Sequence, residues 1–138
     1  MTDGKKPVIL FLCVHNAGRS QMAAGFARSL GGDRVTIHSA GTAPGEQLNP
    51  AVVDVMREKG IDIGDQVPQV LTGAMGLSSD VIITMGCGDT CPVYPGKRYL
   101  DWELVDPSGK SLDEVRPIRD EIERRVTALL DELLTSTT

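Results

Sequence analysis

The chain has 138 residues, of which 41% are hydrophobic and 24% charged, the size and balance of one soluble globular domain. A domain of that length buries about two-thirds of the surface its unfolded chain exposes, so it needs no disulfide or metal staples to fold. Fourteen basic against nineteen acidic residues leave a net charge of −5, which argues against nucleic acid as the partner but not against a small anion held by local donors.

No stretch approaches the length of about 18 apolar residues that a membrane span needs. Lys5–Val14 imitates the charged and apolar parts of a signal peptide, but His15-Asn16-Ala17-Gly18-Arg19 follows where a small-residue cleavage site belongs. The expected location is the cytoplasm. Three cysteines, an odd number, then read as redox or catalytic thiols and not as a disulfide framework. Without repeats, low-complexity tracts or linker-like shifts in composition, one domain over residues 1–138 is expected, with 1–6 and 135–138 frayed.

Pro7–Val14 (PVILFLCV) is a continuous apolar run bounded by polar residues, the pattern of a strand covered on both faces. From Ser20 the pattern turns helical, with Met22, Ala23, Phe26, Ala27 and Leu30 at three- and four-residue spacing and Gly31-Gly32 as the stop. Val35–Ser39 is a second short strand. Asn49-Pro50 is an N-cap followed by proline at the first helical position, and that helix runs through Lys59 to Gly60. Asp80–Met85 and Lys97–Asp101 are a third and a fourth strand. Val115, Ile118, Ile122, Val126, Leu129 and Leu133 mark one face of a long closing helix. Pro117 fits its interior poorly, so a short turn is expected at Ser111–Val115 and the main helix from about Pro117. Strands alternating with helices predict an α/β fold, an open parallel sheet flanked by helices, with ligands beyond the carboxyl ends of the strands.

The first strand runs into Cys13-Val14-His15-Asn16-Ala17-Gly18-Arg19-Ser20 and then directly into a helix. A loop of this length can curl until successive backbone N–H groups, from Val14 to Ser20, point at one centre, and the helix N-terminus adds partial positive charge there. The Arg19 guanidinium offers a planar fork to two oxygens of a tetrahedral oxyanion. The same field favours the thiolate of Cys13, making it a nucleophile at neutral pH. Ser20 can donate a hydrogen bond to that sulfur, Asn16 tolerates left-handed backbone, and Gly18 permits close approach. The plainer alternative is a buried structural cysteine with Arg19 on a helix surface.

Two further motifs lie after strands. Asp106-Pro107 sits between the fourth strand and the closing helix, where the proline holds Asp106 extended and a loop can aim its carboxyl at the anion site. A common Asp-Pro turn is the alternative, with Asp101 and Glu103 as nearby carboxylates open to confusion with it. Cys87 and Cys91, three residues apart in Cys87-Gly88-Asp89-Thr90-Cys91-Pro92, can pair if the loop bends. They can also be isolated loop cysteines, or half of a zinc site with His15 or His38. Zinc needs four ligands at plausible spacing and the histidines lie apart, so no metal is expected.

FLCVHNAGRSQMA, HSAGT (His38–Thr42), NPAVVDVMREKGIDI and ITMGCGDTCP together resemble the arsenate reductases of the thioredoxin-coupled type, built on the low-molecular-weight protein tyrosine phosphatase fold. The similarity runs from about Val8 to Leu134. It implies a four-stranded parallel sheet flanked by helices, with Cys13 attacking arsenate, Arg19 and the loop amides holding its oxygens, and Asp106 as general acid for the leaving oxygen. It also implies a relay in which Cys87 attacks the Cys13 sulfur, arsenite departs, and Cys91 takes over Cys87. The resulting disulfide is recharged by an external reductant such as thioredoxin, with no cofactor bound.

The chain departs from that pattern in three places. Its last two thiols are closer together, and Gly86 aligns with the usual second thiol. Ala24 and Gln69 stand where some relatives place acidic ligands of a structural potassium ion, so no such site is expected. The first two differences leave room for mycothiol, or for glutathione with a glutaredoxin-like partner, as the reductant. The nearest rival is a tyrosine phosphatase using the same Cys13, Arg19 and Asp106. Phosphatases of this fold commonly carry a cysteine inside the loop and an aromatic residue beside the Asp-Pro pair, and here those positions are Gly18 and Ser108. A phosphocysteine carrier or an arsenite-binding regulator would be the non-enzymatic reading.

Overall fold

The computed structural model describes residues 6–86 and 94–135. β1 (Val8–Cys13), β2 (Thr36–Gly41), β3 (Val81–Thr84) and β4 (Arg98–Asp101) form a four-stranded sheet in the order β2-β1-β3-β4, and every pair in it is parallel. Leu10 pairs with His38 on one side and Ile82 on the other, and Ile82 in turn with Tyr99. β1 lies centrally, and Ile9–Leu12 are completely buried, which is why its sequence is apolar without alternation.

The two faces are covered unequally. Ile9, Phe11, Val81 and Ile83 point into the main core with α1 (Arg19–Gly31), α2 (Pro50–Arg57) and α4 (Leu112–Thr135). Leu10, Leu12, Ala40 and Ile82 face a smaller cluster with Leu71, Met75, Tyr94 and Tyr99, which includes the short helix α3 (Gly73–Ser78). α1 is buried along Ser20–Ala27 without a break, and its alanines and Gly25 permit that close packing. Asn49 caps α2 as expected, its side chain accepting from the Ala51 N–H at 3.0 Å.

α4 begins earlier than the sequence predicts. Its first turn starts at Leu112 and the helix continues through Pro117. Ser111 and Glu114 form a reciprocal cap: the Ser111 N–H donates to Glu114 Oε1 at 3.0 Å, and the Glu114 N–H donates to Ser111 Oγ at 3.3 Å. That cap fixes the helix start despite the hydrogen bond that Pro117 cannot make. α3 is absent from the sequence prediction because GAMGLS carries no periodic apolar stripe. It is started by Thr72, whose Oγ1 accepts from the Met75 N–H at 3.2 Å. Of the ends expected to fray, 1–5 and 136–138 lie outside the described residues, while Thr135 is the last residue of α4. Among the described residues, no helix is long and apolar enough to cross a membrane.

Candidate active site

The segment between β1 and α1 is held open from outside. The carbonyls of Cys13, Val14, His15 and Ala17 accept from the N–H groups of Thr42, Ala43, Gly45 and Asn49 at 3.2, 2.8, 2.9 and 2.9 Å. The Asn16 carbonyl accepts from Gln21 Nε2 at 3.2 Å. These ties fix the path of the loop beside the N-terminus of α1. Gly41 is required by this arrangement, since a Cβ there would stand 2.5 Å from the Val14 carbonyl oxygen.

Asn16 is the conformational pivot. Its φ of +52° places it in the left-handed region, which asparagine tolerates better than most side chains. Completely buried, it accepts at Oδ1 from the Gln69 N–H at 2.8 Å and from Gln21 Nε2 at 3.1 Å, and its Nδ2 donates to Ser20 Oγ at 2.8 Å. The turn brings the Asn16 N–H onto Cys13 Sγ at 3.2 Å, and Ser20 Oγ lies 2.8 Å from the same sulfur. Because Ser20 Oγ already accepts from Asn16, its own proton is available to a Cys13 thiolate. Cys13 is nearly buried, only 3% exposed, and lies at the floor of a cavity of about 480 Å³.

Arg19 closes the other side. Its Nη1 donates to the Leu104 carbonyl at 3.2 Å, and Nη2 lies 3.8 Å from Asp106 Oδ2. The second Asp106 oxygen accepts from the Ser108 N–H at 3.0 Å, so the carboxylate is oriented at both oxygens. Asn49 Nδ2 donates to the Pro107 carbonyl at 3.3 Å, tying this loop to the start of α2. Gly86, just beyond β3, has φ +83° and lies against the guanidinium.

Cys13, His15, Ala17, Gly18, Arg19 and Asp106 therefore line one cavity. Asn16 and Ser20 stand behind it and support the sulfur, whereas Val14 contributes its carbonyl to the outer ties. Asp101 is occupied elsewhere, its Oδ1 accepting from Thr84 Oγ1 at 2.8 Å, and neither it nor Glu103 lines the cavity. His38 lies in β2 opposite Leu10. Among the described residues, no group of three or more His, Cys, Asp or Glu side chains is placed to hold a metal ion. Cys87 and Cys91 lie outside the described residues. The sequence gives no role to Gln21, and it marks Gly86 only as the position aligned with the usual second thiol, without its contact with Arg19. The only signal for Gln21 was a polar residue inside the buried stretch of α1, and for Gly86 a glycine directly after a strand.

The sequence model of the low molecular weight phosphotyrosine protein phosphatases matches residues 8–137. The chain belongs to that family. Among solved structures of this fold, a thioredoxin-dependent arsenate reductase of Corynebacterium glutamicum is 42% identical with a TM-score of 0.81, over 95% of this chain and 63% of that one. This phosphatase-family chain thus spans less than two-thirds of that protein's length. An arsenate reductase solved in its phosphate-binding state is 32% identical with a TM-score of 0.83, over 92% of this chain and 98% of that one. A glutaredoxin arsenate reductase of Synechocystis is 34% identical over 128 residues, which is 91% of this chain and 97% of that protein. The four-stranded parallel sheet flanked by helices is the fold of these relatives.

Proposed function

We propose that the protein is an arsenate reductase that uses Cys13 as nucleophile. The observation carrying this reading is the sulfur at the cavity floor, within hydrogen-bonding reach of the Asn16 N–H and Ser20 Oγ, with Arg19 and Asp106 facing the same space. A Cys13 thiolate attacks arsenic while Arg19 and the backbone amides of residues 14–20 hold the remaining oxygens. An As–O bond breaks, and Asp106 gives its proton to the departing oxygen, which leaves as water.

The thiol pair separates reduction from simple hydrolysis. Cys87 attacks the Cys13 sulfur, and the electron pair of the broken S–As bond stays with arsenic, which leaves as arsenite. Cys91 then attacks Cys87, freeing Cys13 and leaving a Cys87–Cys91 disulfide. An external cytoplasmic thiol system returns that disulfide to two thiols: thioredoxin, or mycothiol or glutathione with a glutaredoxin-like protein. Relatives named for thioredoxin and for glutaredoxin support both kinds of reductant.

The second reading is a phosphatase using Cys13, Arg19 and Asp106, favoured by the family to which the chain belongs. One experiment divides the two. Replacing Cys87 and Cys91 by serine is expected to abolish multiple-turnover arsenate reduction while leaving p-nitrophenyl phosphate hydrolysis in place. Equal loss of both activities would remove the relay, and an absence of arsenate reduction in the unaltered protein with every reductant would remove the reductase.

A further inference from the structure

We propose that Gly86 is a positioning residue for Arg19, fixing the place of its guanidinium by carrying no side chain. The inference rests on the reading of residues 13–20 as an oxyanion site, and it concerns what shapes the cationic side of that site.

Gly86 follows the buried Met85 at the carboxyl end of β3, the strand paired with β1. Its φ of +83° lies in the region that glycine enters at no steric cost. A Cβ built on it would stand 2.4 Å from Arg19 Nη1, 3.2 Å from Cζ and 3.4 Å from Nη2. Three atoms of the fork therefore lie over the place where any other residue begins its side chain. The fork is also held by the Leu104 carbonyl at 3.2 Å from Nη1, and Asp106 Oδ2 lies 3.8 Å from Nη2. The Arg19 side chain is 10% exposed and borders the cavity over Cys13.

These contacts assign Gly86 a steric role. The guanidinium rests against the β3 end and the Leu104–Asp106 stretch, and only the absence of a Cβ lets it lie there. When a methyl group is added, the part that yields most easily is the end of the long arginine side chain. Arg19 then leaves the Leu104 carbonyl, and the two-pronged geometry offered to the anion is lost.

Binding of inorganic phosphate, measured by calorimetry on the full chain, tests this assignment without requiring arsenate turnover, so its outcome bears on Gly86 even if arsenate is not reduced. Gly86→Ala and Gly86→Asn are expected to weaken phosphate binding by about tenfold or more, the effect of disturbing a charge-assisted contact. Asparagine tolerates left-handed backbone, so Gly86→Asn retains the crowding with less strain and covers the case in which Gly86→Ala does not fold. In an Arg19→Lys background, the same substitutions are expected to change phosphate affinity by less than about twofold, because the group they displace is gone. A folded Gly86 variant that binds phosphate as the unaltered protein does would overturn the assignment. So would losses that multiply in the double variant, since those would mean that Gly86 acts independently of Arg19.

Discussion

Gly18 of the anion loop lies directly against Pro107 of the Asp-Pro loop: a Cβ on Gly18 would stand 2.8 Å from the proline Cγ. The Cys13 loop and the Asp106 loop are thus fitted through a residue with no side chain. Gly18→Ala is expected to push Pro107 outward and carry Asp106 with it. Overpacking of this kind costs about 1–3 kcal/mol. Turnover of p-nitrophenyl phosphate should fall about tenfold or more, because proton donation to the leaving oxygen depends on placement. Phosphate affinity should change much less, since Arg19 is not displaced. Parallel loss of affinity and turnover would count against this division of labour.

Ser20 Oγ lies 2.8 Å from the Cys13 sulfur. Ser20→Ala removes that hydrogen bond and leaves Asn16 Nδ2 without its acceptor. A bond to an ionised sulfur is worth about 1.5 kcal/mol, so alkylation of Cys13 by iodoacetamide at pH 7 should slow about tenfold. Alkylation at the original rate would mean that the hydroxyl does not support the thiolate.

Two substitutions at Asn16 separate its backbone role from its side-chain role. Asn16→Ala combines an unfavourable positive φ with loss of the acceptor for the Gln69 N–H and Gln21 Nε2, and should cost about 2–4 kcal/mol in denaturant unfolding. Asn16→Gly loses the same hydrogen bonds but accepts the φ, so it should unfold about 1 kcal/mol later than Asn16→Ala. If alanine and glycine proved equally destabilising, the left-handed turn would not be what this residue supplies.

Glu58, at the end of α2, is gripped by two arginines of α4. Arg116 Nη2 donates to its Oε2 at 2.7 Å and Arg119 Nη1 to its Oε1 at 2.7 Å. Hydrogen bonds from Arg116 and then Arg119 hold its carboxyl down at about 2, against an ordinary 4.5. A carboxylate lowered in the folded state contributes stability that is fully present above its unfolded value and is lost as pH falls through the folded one. Glu58→Gln should therefore lower the Tm at pH 7, with the difference from wild type shrinking below about pH 4.5 and small by about pH 2. Salt should also shrink it, because the pair is partly exposed. A difference in Tm as large at pH 2 as at pH 7 would assign the effect to packing.

The sheet and the turn that follows β1 are legible in the sequence because their physics is local. An unbroken apolar run such as Val8–Cys13 has few uses other than a strand buried on both faces, and Asn16 and Gly18 mark the backbone of the turn that follows. Pro117 by itself points to a later start of α4; the Ser111–Glu114 cap, readable as a serine followed three residues later by glutamate, sets the earlier one. α3 and Gln21 were hidden for a different reason. α3 is a single capped turn with no repeating pattern, and Gln21 matters through Asn16 and Val67, contacts that exist only after folding. The resemblance aligns the usual second thiol with position 86, and that the Arg19 guanidinium lies where a Cβ would begin there is visible only in three dimensions.

The ties from Thr42, Ala43, Gly45 and Asn49 to the loop carbonyls also bear on how an anion is received. A ligand entering a cradle already braced in this way does not have to freeze a wandering segment, so little of its interaction is spent on ordering the protein. The bracing couples the loop to its neighbour, so amide exchange at Thr42 and Ala43, which donate to the Cys13 and Val14 carbonyls, should report the integrity of a pocket to which they contribute no side chain.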